Sequence, residues 1–275
     1  MKILIIALIF FLFNIKLNAQ NKGDEENAAS NATNPLAFVT KLQFQPNYNF
    51  LDEGGDQLSL ISRIIQPTES IGLPFIKSKD PSKVYTIYRL EFPLISQTLN
   101  DSINVVNGTG ISDMVFLDVI SFKQKWGLLG IGPALIMPTA SPEFFGSGKW
   151  SAGLAGVVLY TKTKGMQIGA LAQQYVSFAG NENKEDLNFM FLQPIFNLIL
   201  GKGFFFQFSP TIKLDWQKSE YTLPIGPSIG KAFAKNLSMS IGTEYLVSGP
   251  SKGDFIIKLN INAMFAKNYK PIKKL

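Results

Sequence analysis

The residues able to do covalent or acid–base chemistry are few. The chain contains no histidine and no cysteine, so Ser-His-Asp triads, Cys-His dyads, thiolate metal sites and disulfides are excluded. An acylated-cysteine lipid anchor is excluded with them. What remains for acid–base work is a carboxylate pair of the aspartic-protease kind, and Glu91, Asp215, Glu220 and Glu244 are its available members. No spacing among them favours that chemistry over ion pairing. The segment GSGKWSAG (146–153) carries a Gly-Lys step, but it lacks the phosphate-loop spacing and opens no helix that could aim its N-terminus at a phosphate. No cofactor or metal is expected, and the chain does not read as an enzyme.

The elements that must position these side chains alternate with period two. In WGLLGIGPALIMP (126–138), Leu129, Ile131, Pro133, Leu135 and Met137 fall on one side, and Gly130, Gly132 and Ala134 on the other. Such alternation places the two sets on opposite faces of one strand. A bulky outer face over a small inner one suits the wall of a closed barrel. The pattern predicts twelve strands, at 36–46, 57–66, 84–96, 111–123, 126–138, 151–162, 165–178, 187–200, 203–216, 219–231, 237–248 and 254–265. A soluble sandwich also alternates, but globular strands are mostly about 5 to 6 residues long. The lengths predicted here are those of membrane-crossing strands. Trp126, Trp150, Trp216, Tyr160, Tyr221, Tyr245 and Phe204 stand near strand ends, where an interfacial aromatic girdle belongs. The fold expected is therefore all-β, an antiparallel transmembrane β-barrel of about twelve strands spanning 36–265.

Flanking segments agree with export. Residues 1–19 have a lysine at position 2, the apolar run ILIIALIFFLF and a small-residue site at LNA, the pattern of a cleaved signal peptide. The run is short of the roughly 20 residues a spanning helix needs. Residues 20–35 (QNKGDEENAASNATNP) are polar and small and read as a disordered lead-in. Residues 266–275 form a basic tail. The formal charge of +6 becomes +4 once Lys2 and Lys16 leave, and lysines 267, 270, 273 and 274 carry all of that excess. A basic tail without a basic face is a poor footprint for nucleic acid. The partners expected are outer-membrane lipid, the barrel-assembly machinery and a small apolar solute, with residence in the cell outer membrane.

In such a barrel one face carries Lys41, Arg63, Arg89, Glu91, Lys213, Asp215, Glu220, Glu244 and Lys258. Charges facing lipid at mid-depth cost about 2–4 kcal/mol for Arg or Lys, so these must face the lumen. There they either orient a passing solute or form interior ion pairs that fill the barrel, and the second role is favoured. Phe144 and Phe145 sit at the tip of the 139–150 loop, placed to meet an apolar ligand or to pack into the mouth, and Trp150 is an interface anchor. Asp113 is expected to cap a turn. The links QK, KTKG, GKG and AFAKN are tight and belong on the periplasmic side, while 98–110 and 139–150 are the longer outer loops. The long segment 67–83 falls on the tight-turn side and breaks that rule, so either the second or third strand extends into it or the strand count is wrong there.

The series NPLAFVTKLQFQPNYNF (34–50), GISD (110–113), GIGPALIMPTA (130–140), GSGKWSAG (146–153), QYVSFAG (174–180), FLQPIFN (191–197) and YTLPIGPSIGK (221–231) resembles an outer-membrane family throughout. That family carries the label phenol meta-pathway degradation protein, often with the tag neuromedin U. The resemblance covers about residues 34–265 and implies an outer-membrane barrel that transports small hydrophobic or aromatic solutes. A structural or adhesive barrel with a filled lumen is the alternative. Against the family pattern, 67–83 is longer, and the chain continues beyond Phe265, the candidate assembly-signal aromatic of the last strand.

Overall fold

The computed structural model describes residues 22–52, 54–100 and 105–266. The predicted signal segment 1–19 and the tail beyond Ala266 lie outside the described residues. The strands are β1 (Val39–Phe50), β2 (Gly55–Thr68), β3 (Ser70–Ile71), β4 (Leu73–Lys77), β5 (Val84–Asn100), β6 (Val105–Ile111), β7 (Met114–Lys123), β8 (Gly127–Met137) and β9 (Lys149–Tyr160). They continue with β10 (Met166–Gly180), β11 (Asn188–Gly201), β12 (Phe204–Phe208), β13 (Ile212–Asp215), β14 (Glu220–Ile225), β15 (Ser228–Ala234), β16 (Leu237–Ser248) and β17 (Phe255–Ala266). Leaving aside the small β3–β4 hairpin, these make twelve staves of one closed antiparallel barrel. β6 with β7, β12 with β13 and β14 with β15 each form one interrupted stave. Closure comes from β1 pairing with β17, from Val39 opposite Ala266 to Phe50 opposite Phe255.

Closure leaves no free sheet edge in the wall. The outer surface is apolar, with Leu129, Ile131, Leu154, Ile168, Ile229 and Ile241 all exposed, as a lipid-embedded barrel requires. Trp126, Trp150, Trp216, Tyr221 and Tyr245 are exposed near strand ends. Phe265, opposite Thr40 in the last pairing, is 52% exposed on the same outer face. Neighbouring backbones approach closely where side chains are missing. A Cβ on Gly132 would collide with the Asp118 carbonyl, and one on Gly153 with that of Gln174. The β11–β12 connection is only Lys202 and Gly203, with Gly201, Lys202 and Gly203 all at positive φ, the backbone a two-residue hairpin needs.

Three expectations need correction. The stretch 20–35, expected to be disordered, instead forms helix α1 (Lys22–Thr33) lying against the inner face of β11, β12, β15, β16 and β17. Asp24 and Glu25 in its first turn suit the helix N-terminus, and Ala28 and Ala29 bury against Phe205, Ala232 and Met264. A helix this short is marginal alone, so the lumen supplies its stability. The 98–110 segment is not an outer loop: β5 runs on to Asn100, and β6 pairs with it from Leu94–Ile111 to Asn100–Val105. Of the alternatives for 67–83, extension of the second strand is the one observed: β2 reaches Thr68, and the β3–β4 hairpin follows it. The predicted strands 203–216 and 219–231 are each broken, at Pro210 and at Gly226–Pro227, where proline cannot donate to the ladder.

The interior is also less small than the Gly130, Gly132, Ala134 series suggests. Leu128, Ile136, Val157, Leu159, Leu171 and Tyr175 point inward from β8–β10 and join a buried cluster with Leu36, Tyr85 and Phe189. Over most of their length both faces of those staves are apolar, with Lys149, Ser151, Gln167 and Gln173 the inward polar exceptions. Their alternation in side-chain size therefore did not separate a dry packed interior from a lined one.

Candidate functional site

The lumen holds a cavity of about 550 Å³. Thr33 and Pro35 at the end of α1 line one end of it, and Asn49 and Gln57, two rungs or fewer from the β1–β2 turn, line the other. One wall is polar, with Gln43, Gln45 and Asn47 from β1 and Lys258, Asn260 and Asn262 from β17. Across from it stand Leu171, Tyr175, Phe191 and Ile195. The polar wall follows from inward positions of period two on staves that face no apolar segment. The apolar wall belongs to staves packed by Leu36 and Phe38, which run on from α1.

The predicted charged residues are gathered into pairs. Arg63 on β2 stands opposite Glu91 on β5, and Arg89 lies one inward rung along. Arg63 Nε reaches Glu91 Oε2 at 2.8 Å, and Arg89 reaches Glu91 Oε1 at 2.7 Å. Arg63 also donates to Gln45 at 2.7 Å, and Arg89 donates to Gln173 at 3.0 Å, whose Oε1 accepts from Tyr175 at 3.1 Å. Glu244 and Lys258 form a second pair on β16 and β17. Lys213 and Asp215 form a third on β13, at 2.9 Å, with the Lys213 ammonium 5.0 Å from the centre of the Phe189 ring. Glu220 is exposed near the outer rim, opposite Asp215 in the β13–β14 register. Glu91 and Glu244 are each held by cations, so the arrangement is one of ion pairing rather than of two carboxylates sharing a proton.

Lys41 is a different case. It is 3% exposed and donates to the carbonyls of Asn31, at 3.2 Å, and Asn34, at 2.8 Å. An ammonium there satisfies carbonyls left over at the C-terminal end of α1 and complements the helix dipole. It fastens the helix. Two wall residues outside the predicted set, Gln167 and Asn197, complete the fastening. Gln167 donates to the Ser30 carbonyl and hydroxyl at 3.1 and 3.0 Å and accepts from Thr33 at 3.0 Å, while Asn197 donates to the Thr33 carbonyl at 3.2 Å. Gln167 and Asn197 occupy inward positions of otherwise apolar strands, the one signal that could have found them.

At the outer mouth the 139–148 loop folds inward. Ser141 bridges to Ile111, with hydrogen bonds of 3.0 Å each way. Phe145 is buried and Phe144 is 50% exposed, their ring centres 4.3 Å apart. Both rings lie over Gly108 of β6, and Phe145 also reaches Gly110, where a Cβ would press into it and into Ser141 and Pro142. Asp113 secures the loop, accepting from the backbone N–H of Ala140 at 3.2 Å and from the N–H and hydroxyl of Ser147 at 2.7 Å each. Lys149, the lysine of the glycine-rich segment, points inward from β9 and pairs with Asp186 of the next loop at 2.9 Å. That bond, with help from the Ser177 hydroxyl, holds the Asp186 carboxyl below its ordinary range. Trp150, the next residue, is 40% exposed on the outer face.

No family model matches the chain, and no curated protein matches it. Solved structures do. The COG4313 outer membrane channel from Pseudomonas putida F1 superposes with a TM-score of 0.64 at 11% identity, over 84% of this chain and 99% of that one. The NanC porin superposes with a TM-score of 0.53 at 10% identity, over 81% of this chain and 98% of that one. Both likenesses concern the fold.

Proposed function

We propose that the protein is an outer-membrane channel for small solutes, narrowed from within by its N-terminal helix. The observation that carries this reading is the 550 Å³ cavity, enclosed by an apolar-sheathed barrel and split into a charged wall and an apolar wall. Its ionic lining comprises Lys41, Arg63, Arg89 and Lys258 against Glu91 and Glu244, an excess of positive charge. The solute class that fits is small and amphipathic: an apolar or aromatic body against Tyr175 and Phe191, with an acceptor or negative group toward the arginines. The fold shared with a named outer membrane channel and a porin supports the channel role, and the motif resemblance supports the aromatic preference. Exported through a cleaved signal, the chain would be folded into the outer membrane by the assembly machinery acting on the Phe265 strand.

The test is conductance of the refolded chain in a planar bilayer. Discrete steps with a reversal potential favouring anions are the expected result. Silence from demonstrably inserted protein would replace this reading with that of a filled structural barrel.

A further inference from the structure

The β3–β4 hairpin stands outside the barrel, at the tight-turn end. It rests on the outward face of β5: Thr86 donates to the Ser70 carbonyl at 3.0 Å and accepts from Gly72 N–H at 2.8 Å. The Tyr88 hydroxyl donates to the Gly72 carbonyl. Gly72 can take its φ of +65° without strain. The hairpin thus covers polar side chains on a face that lipid would otherwise touch, and Thr86 is fully buried by it. Its own far side is apolar and bare. Leu73, Phe75 and Ile76 are 52, 78 and 46% exposed.

Cations surround its base. Lys77 closes the hairpin opposite Ser70, and Lys79 and Lys83 follow on the way into β5. The N–H of Lys123 bonds the Lys83 carbonyl at 2.7 Å, which brings the Lys123 and Lys125 turn alongside. Glu69 and Asp80 are the acidic residues of 69–83, and Asp80 pairs with Lys83 at 3.1 Å, so positive charge remains in excess.

We infer that this arm, residues 69–83, is a binding site for anionic phospholipid. Leu73, Phe75 and Ile76 enter among the acyl chains, and the lysines at the base take the headgroup phosphate. The inference rests on the proposal that the barrel spans a membrane. Charge complementarity selects the occupant, since exposed apolar side chains backed by clustered ammoniums match an amphiphile with a negative head. Each lysine near an anionic surface favours association about fivefold.

The chain has no cysteine, so single-cysteine reporters are clean. Phe75→Cys and Leu154→Cys chains, each carrying a bimane label, would be refolded into vesicles containing doxyl-labelled phosphatidylglycerol or phosphatidylcholine at equal mole fraction. Position 154 is 61% exposed on the outer wall and reports the span itself. Expected is quenching at 154 by both lipids alike, and at 75 several-fold more by phosphatidylglycerol. That preference should collapse in a Lys77→Gln, Lys79→Gln, Lys83→Gln background, and in the unaltered chain at high salt. Equal quenching by the two lipids at 75 would overturn the site. Quenching at 75 by aqueous iodide alone would also overturn it, leaving the exposed β4 edge as a surface for a protein strand. Absence of lipid quenching at 154 would instead overturn the membrane reading.

Discussion

Deleting residues 22–33 isolates what α1 does to the bore. Strands about 4.8 Å apart and tilted about 40°, in twelve staves, close a backbone ring about 24 Å across. Inward side chains from opposite walls reduce that to a bore of about 14 Å. A slim helix of alanine, serine and asparagine is about 10 Å wide and takes about half of the cross-section. Its 12 residues occupy about 18 Å of a hydrocarbon span of about 30 Å. With the two lengths taken as resistances in series, removal raises conductance about 1.6-fold. Phe205 and Ala232, which pack against the helix, push the ratio up, and Leu36 and Phe38, which stay in the lumen after the deletion, push it down. Single-channel recording of the wild-type and deleted chains reads the ratio directly. Equal step sizes from two proteins that insert equally well would refute the placement of α1 in the conduction path. A Lys41→Ala, Gln167→Ala chain, which keeps the helix but loses its fastening, should show the larger step intermittently.

Glu91→Gln leaves Arg63 and Arg89 without their shared anion, so urea unfolding should show a loss of about 3 kcal/mol, the low end for a broken buried pair because water reaches the site. The same change should shift the reversal potential further toward anions. Lys41→Met removes the cation from the Asn31 and Asn34 carbonyls, and hydrogen exchange over 22–33 should quicken while exchange in the wall stays unchanged. Asp113→Ala removes three hydrogen bonds from the 139–148 loop, at about 1.5–3 kcal/mol for each bond to a charged group, and limited proteolysis should then cut within that loop. The Asp186 carboxyl titrates below its ordinary 3.8 in the folded chain. Its tether to Lys149 is therefore complete above that value and lost as pH falls through the lowered one, so exchange in 181–187 should rise only in strong acid. A rise centred near neutral pH would refute the pairing.

Where strands have an apolar outer face and a polar lumen face, period two was sufficient. The prediction of 237–248 matches β16, and 254–265 differs from β17 by one residue at each end. The ion pairs of Arg63, Glu91, Glu244 and Lys258 follow from the same parity, because a charge has one tolerable face. Where both faces are apolar, as on β8–β10, alternation records only side-chain size. It cannot show that Leu36 and Phe38 cross the lumen to bury Leu128 and Val119.

α1 escaped for the complementary reason. A helix on a globular surface advertises itself by an apolar stripe, whereas KGDEENAASNAT meets a lumen that offers Gln167, Asn197 and Lys41 along with Phe205. Small side chains fit a narrow bore, and polar ones find partners there, so the composition that reads as disorder in water is the one a barrel interior selects. The same argument explains the division of the cavity. The N-terminal segment covers the apolar inward side chains of β7, β8 and β10 with Leu36 and Phe38, while Gln43, Gln45 and Asn47 of β1 and Lys258 and Asn260 of β17 stay open to the cavity and can be wetted. One segment, polar through α1 and apolar at Leu36–Phe38, therefore sets both the bore and the chemistry of the wall that a solute would meet.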